Sequence, residues 1–185
     1  MFFRPLPNLL SFLRIFLSLP VFFLSKRNEF CGAFFLILLG ATTDFLDGLL
    51  ARRFGAESRF GTLLDPLADK LFFLSVLASS LFLPHRPPLF LYGAFFLKEV
   101  PVLVGSIFLL KKGTLPTPNL LGKTAVANLF IYLGFLFFSA CFEFFEKLKG
   151  VLSLWGYLSG FLLLLSAAVY AAAFLKIRKE RWERG

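Results

Sequence analysis

Two stretches without Asp, Glu, Lys or Arg, Thr124 to Phe142 and Gly150 to Leu175, constrain this chain more than anything else in it. Each exceeds the roughly 18 residues that mark a membrane-spanning helix. In lipid every backbone N–H and C=O must be satisfied within the segment, so such stretches become helices. Shorter uncharged runs cover Ile15 to Ser25, Phe30 to Thr43, Leu71 to His85, Pro87 to Leu97 and Val100 to Leu110. These cross a membrane only if a few charged residues lie within or beside it, and such residues are functional candidates. At about 20 residues per span, six spans and short connections fit the chain. The turn chemistry places helices at about 8–26, 29–53, 61–84, 87–110, 121–143 and 150–176. The expected fold is all-α, a polytopic membrane protein with six transmembrane helices forming a single domain, residues 1–185.

Composition agrees: 58% of the 185 residues are hydrophobic and 28 are Phe, against about 45–50% apolar in soluble domains. That excludes a soluble enzyme, a disordered chain and a secreted disulfide scaffold. Cys31 and Cys141 are too few for a disulfide framework and lack metal-ligand spacing. A formal charge of +9 could suggest nucleic acid, but in a membrane chain basic residues mark the cytoplasmic side. With six spans, twelve basic residues fall on the side of the two termini and of the connections at 53–60 and 111–123. Five (Lys26, Arg27, Arg86, Lys147 and Lys149) fall on the other. Both termini are therefore expected in the cytoplasm, with no nucleic-acid partner. Met1 to Pro7 lacks the shape of a signal peptide, and the basic tail from Lys176 reads as a headgroup anchor.

All four aspartates of the chain lie between residues 44 and 69. Asp44 and Asp47 are spaced i,i+3, and Asp65 and Asp69 i,i+4, so each pair shares a helical face. One pair ends the second helix and the other begins the third, so both arrive at the cytoplasmic edge. Four carboxylates crowded together in an apolar setting repel one another and favour protonation. Divalent cations relieve that repulsion. An all-oxygen set without His or Cys points to two ions of Mg²⁺ or Mn²⁺ rather than zinc. Such ions could grip phosphate oxygens and assist displacement at phosphorus. Arg52 and Arg53 add guanidinium forks suited to phosphate, while Gly48 and Gly61 permit close approach to the backbone. Helix capping, or pairing with Arg52, Arg53 and Lys70, would explain one pair of acids but not both.

The full pattern is Asp44-x2-Asp47-Gly48-x2-Ala51-Arg52-x8-Gly61-x3-Asp65-x3-Asp69. It resembles the signature of the CDP-alcohol phosphotransferase family at every fixed position. Pro7-Asn8-Leu9-Leu10, Arg14 and the six-helix plan extend the likeness over most of the chain. The resemblance implies a homodimeric enzyme in the lipid bilayer of the cytoplasmic membrane, using two divalent metals. It would move a phosphatidyl or phosphoalcohol group from a CDP-linked donor to an alcohol, releasing CMP. By position, Asp44, Asp47, Asp65 and Asp69 correspond to metal ligands, and Asp69 also to the base that deprotonates the acceptor. Gly48, Ala51, Arg52, Ser58 and Gly61 correspond to the CDP-binding side.

Asp65-Pro66-Leu67-Ala68-Asp69-Lys70 is similar to the subgroup that makes phosphatidylglycerophosphate or cardiolipin. The expected substrates are thus CDP-diacylglycerol and glycerol 3-phosphate, with phosphatidylglycerol as the alternative acceptor. Lys123, Lys98 and Arg14 are candidates to hold the acceptor phosphate. Against these, Lys123 could be an interfacial anchor, Lys98 could neutralise Glu99, and Arg14 could snorkel to the headgroups. Phosphatidylglycerophosphate synthases usually have Arg-Glu in place of Lys98-Glu99, and a different segment where Gly122 to Asn128 stands. A membrane transporter is the reading from another class, but the chain lacks the internal repeat typical of one. His85 lies among prolines on the outer connection.

Overall fold

In the computed structural model the described residues are 6–54, 61–111, 120–142 and 145–182. The side chains of 6–8, 47–54, 61–63, 106–111, 145–146 and 174–182 are outside the description. Six helices follow in order: α1 Leu6–Lys26, α2 Phe30–Phe54, α3 Gly61–Ser79, α4 Leu89–Lys111, α5 Leu120–Cys141 and α6 Phe145–Trp182. No strand occurs among the described residues. Leu9–Lys26, Leu120–Cys141 and Lys147–Ala173 are long and apolar enough to cross a membrane. Large apolar side chains stand exposed on every helix, among them Phe12, Phe16 and Phe23 of α1 and Leu154, Leu158 and Phe161 of α6. Exposure of that extent suits lipid rather than water. The chain is an all-α polytopic membrane protein.

Two helices depart from the expected bounds, for identifiable reasons. The third helix stops at Ser79, and a 3-10 turn covers Ser80–Phe82. Leu83 is then extended at φ −61° and ψ 147°, because Pro84 disfavours a helical residue before it. The sixth helix is longer than expected at both ends. Glu, Lys and Arg, which flank its apolar stretch, are good helix formers and give no stop. Between α1 and α2 the turn is set by Asn28, whose φ is 63°. Glu29 N donates to Leu24 O at 2.9 Å and Asn28 N to Ser25 O at 3.0 Å. This is a left-handed helix end in which Asn takes the place usually held by Gly.

The chain forms two compact units, residues 1–86 with 133–148, and residues 87–132 with 149–185. In the first, α1 packs against both α2 and α3. Its inner stripe, Ser11, Arg14, Leu17, Val21 and Ser25, is buried and repeats at the helical i,i+3 and i,i+4 spacing. Ser75 Oγ of α3 donates to the carbonyl of Ser18. Gly40 of α2 lies under the Phe72 ring of α3, where any Cβ would collide. Cys31, at the start of α2, and Cys141, at the end of α5, form a disulfide with their Cα atoms 4.4 Å apart. Phe34 packs edge-on against Phe138 and Phe142 beside it.

In the second unit, small residues let α6 pack closely. A Cβ on Gly156 would lie 2.6 Å from Tyr132 Oη, and one on Gly160 would lie 2.7 Å from the Phe90 ring. Asn128 joins α5 to α6: its Nδ2 donates to Ser159 Oγ at 2.8 Å, and its Oδ1 accepts from Trp155 Nε1 at 3.1 Å. Small residues and interhelical hydrogen bonds hold helices together in lipid, where no hydrophobic force draws one helix to another.

Candidate active site

The polar part of α1's inner stripe is where the acids of α2 and α3 converge. Asp44 follows the buried Thr43 in the C-terminal half of α2. Asp65 and Asp69 each follow a buried residue, Leu64 and Ala68, so both stand at the edge of α3's buried face. Ser11 Oγ donates to Asp65 Oδ1. One turn further along α1, Arg14 Nη1 donates to Asp44 Oδ1 at 2.7 Å and is ion-paired with Asp69 Oδ1 as well. Three carboxylates from two helices therefore meet Ser11 and Arg14 on a third.

Burial is unequal across this cluster. The Arg14 side chain is 2% exposed, whereas Asp44 is 61% and Asp69 48% exposed. The guanidinium forms the floor, and the carboxylates form an open rim that a ligand can reach from outside. Asp44 and Asp69 have oxygens within reach of a single cationic nitrogen, so they are close enough to share a cation. Arg14 offsets only one of the carboxylate charges that meet α1 here. Oxygen donors with negative charge left over suit a hard divalent cation. Among the described residues no group of three or more carboxylate, His or Cys side chains closes into a metal cage.

Of the remaining sequence candidates, Asp47, Gly48, Ala51 and Arg52 belong to α2 and Gly61 opens α3. Their side-chain positions lie outside the described residues, as does Ser58 altogether. The structure brings Arg14 to the carboxylates. Lys98 and Lys123 belong to the second unit. Lys98 is buried and its Nζ lies 2.5 Å from Glu99 Oε1, so its charge is engaged within α4. Lys123 is exposed in the first turn of α5. Ser11 was not a candidate from sequence. The only signal for it was its place three residues before Arg14.

Comparison with known proteins decides what such a cluster belongs to. The CDP-alcohol phosphatidyltransferase family matches residues 4–175 of the chain. The chain belongs to that family. Within it, a CDP-diacylglycerol–glycerol-3-phosphate 3-phosphatidyltransferase of Aquifex aeolicus is 35% identical over 131 residues, which is 70% of this chain and 72% of the relative. A CMP-forming cardiolipin synthase of Streptomyces coelicolor is 38% identical over 135 residues, covering 67% and 60% respectively. The human CMP-forming cardiolipin synthase is 36% identical over 119 residues, covering 64% and 39%. The family resemblance read from residues 44–69 is thus correct, and both acceptor classes weighed there occur among the relatives. CDP-alcohol phosphatidyltransferases generally use divalent metals, in keeping with the all-oxygen rim.

Proposed function

We propose that the chain, acting as one catalytic domain over residues 1–185 and as a homodimer in the bilayer, transfers the phosphatidyl group of CDP-diacylglycerol to sn-glycerol 3-phosphate. The products are phosphatidylglycerophosphate and CMP. The observation that carries this reading is the 35% identity with a relative of that name over 70% of the chain. The convergence of Asp44, Asp65 and Asp69 on α1 supports the chemistry.

Asp69, half-exposed at the rim, takes the proton from the acceptor hydroxyl. The acceptor oxygen forms a bond to the phosphatidyl phosphorus, and the bond from that phosphorus to the CMP oxygen breaks. Asp44, Asp47, Asp65 and Asp69 would hold two Mg²⁺ or Mn²⁺ ions, which when bound neutralise charge on the phosphate oxygens. Gly48, Ala51, Arg52, Ser58 and Gly61 form the cytidine-diphosphate side. Lys123, exposed and cationic, attracts the dianionic phosphate of glycerol 3-phosphate.

A second reading, cardiolipin synthesis from phosphatidylglycerol, has one observation in its favour. Lys98 is committed to Glu99, which removes a cation that a free phosphomonoester would use. Purified protein given CDP-diacylglycerol should release CMP with glycerol 3-phosphate. Lys123→Ala should raise KM for glycerol 3-phosphate more than for CDP-diacylglycerol. Cardiolipin formed from phosphatidylglycerol, with no turnover of glycerol 3-phosphate, would reverse the choice of acceptor.

The rim and both termini face the cytoplasm in this proposal. The Cys31–Cys141 disulfide supports that orientation. It joins the helix ends placed on the opposite side, and disulfides persist mainly in oxidising compartments. Two labelling results are expected in intact cells. Cys31 and Cys141 should resist maleimide until reduced, and a Glu57→Cys label should require permeabilised cells. Labelling of Glu57→Cys by an impermeant reagent in intact cells would place the site on the wrong side.

A further inference from the structure

Arg14 lies inside Leu9–Lys26, a segment apolar and long enough to cross a membrane, and its side chain is almost fully buried. A guanidinium is a permanent cation. Its burial is tolerable only when it is closely paired with charge. The partners are specific: Asp44 from α2 at 2.7 Å and Asp69 from α3. They carry like charges, come from different helices, and contact the same guanidinium nitrogen. Without a cation between them they would repel. The chain thus has a built-in positive charge at the point where the active-site reading expects a metal's charge.

We propose that Arg14 is a positioning residue that acts as an internal cation, holding Asp44 and Asp69 together until a divalent metal takes over part of that role. The inference rests on the reading of these aspartates as metal ligands. It replaces the reading of Arg14 as an anchor for the acceptor phosphate. It also accounts for the neighbouring polar contact. Ser11, one turn away on the same stripe, holds Asp65, so α1 presents a fixed polar strip to three of the four motif acids.

Reciprocity follows from shared sites. If Arg14 and the metal compete for the same carboxylate oxygens, removing one must strengthen the other's hold by the same factor. The test is thermal unfolding of the purified full-length protein in detergent without substrate, followed by tryptophan fluorescence. Wild type, Arg14→Gln and Arg14→Lys are each melted in EDTA and across a MgCl₂ titration. Arg14→Gln should melt well below wild type in EDTA, and Mg²⁺ should close most of that gap. Its half-maximal Mg²⁺ concentration should be about tenfold lower than that of wild type, within the usual range of site-to-site coupling. Arg14→Lys, which keeps the charge, should fall between the two.

A purely structural arginine would leave the deficit of Arg14→Gln the same at every Mg²⁺ concentration, and that result would overturn the proposal. If Arg14→Gln cannot be purified, the double variant Arg14→Gln/Asp44→Asn replaces it. Relief of the repulsion should restore folding in EDTA, and failure to do so would also overturn the proposal. CMP release by wild type, measured alongside, separates the two ideas. Mg²⁺-dependent release with no Mg²⁺-dependent change in the gap rejects the role of Arg14 alone. Absence of release rejects the catalytic reading, while the EDTA melts still judge the charge balance.

Discussion

Asp69→Asn should lower kcat by about 10²- to 10⁴-fold, the usual contribution of a general base, while CDP-diacylglycerol still binds. The expectation rests on where Asp69 sits. It is 48% exposed on the rim, one helical turn beyond Asp65, and tied to Arg14 at its inner oxygen. That exposure lets an acceptor hydroxyl reach the carboxyl group. An amide of the same shape keeps the contact surface but cannot accept a proton at neutral pH. The chain's one histidine, His85, lies beyond α3, far along the sequence from the motif. Residues 44–69 contain no histidine, so the motif holds no Ser–His or Cys–His pair to form a covalent intermediate, and direct attack needs this carboxylate. CMP release under saturating acceptor, together with equilibrium binding of the CDP-linked donor, checks both halves. Near-normal turnover, or a trapped phosphatidyl-enzyme, would defeat the scheme.

That Asp44, Asp65 and Asp69 come together was legible in the sequence because the signal is local. Asp44 and Asp47, and Asp65 and Asp69, share helical faces by spacing alone, and residue types in order carried the family resemblance. Spans were readable too, since hydrocarbon admits few backbone forms. What escaped depends on distant partners. Ser11 sits 54 residues from Asp65, and nothing around it distinguishes a helix-facing serine from a core one. Arg14 could be seen as an unusual charge in an apolar stretch. Its partners, 30 residues away at Asp44 and further at Asp69, emerge only when α1 packs on both other helices. Cys31 and Cys141 are 110 residues apart, with no local pattern to suggest a bond between them. Asn128 was visible as a departure in the Gly122 to Asn128 segment. Its role as the polar link to Trp155 and Ser159 required α6 beside it. Boundaries escaped where two signals competed, as at Leu83, where apolar character suggested helix and the following proline prevented it.

Removing divalent metal should abolish CMP release altogether, and restoring Mg²⁺ or Mn²⁺ should recover it. The charge inventory of the cluster leads to this expectation. Asp44, Asp65 and Asp69 meet α1, and of that helix's residues in contact with them only Arg14 is charged. The donor phosphates bring further negative charge to the same rim. Arg14 is buried and occupied, so it cannot approach the incoming phosphates while it holds Asp44 and Asp69. Without added cations the donor and the rim would therefore repel. Asp44→Asn and Asp65→Asn should each remove most activity for the same reason, since each takes away one anionic oxygen donor while keeping nearly the same side-chain volume. The two variants should differ in folding. Asp44→Asn breaks the charged contact with Arg14, whereas Asp65→Asn retains a carbonyl that can still accept from Ser11 Oγ. Asp65→Asn should thus melt closer to wild type although it is as inactive as Asp44→Asn. Turnover that continues undiminished in EDTA would refute the metal assignment. Loss of folding in both variants to the same degree would mean that the Arg14 contact contributes nothing beyond the Ser11 one.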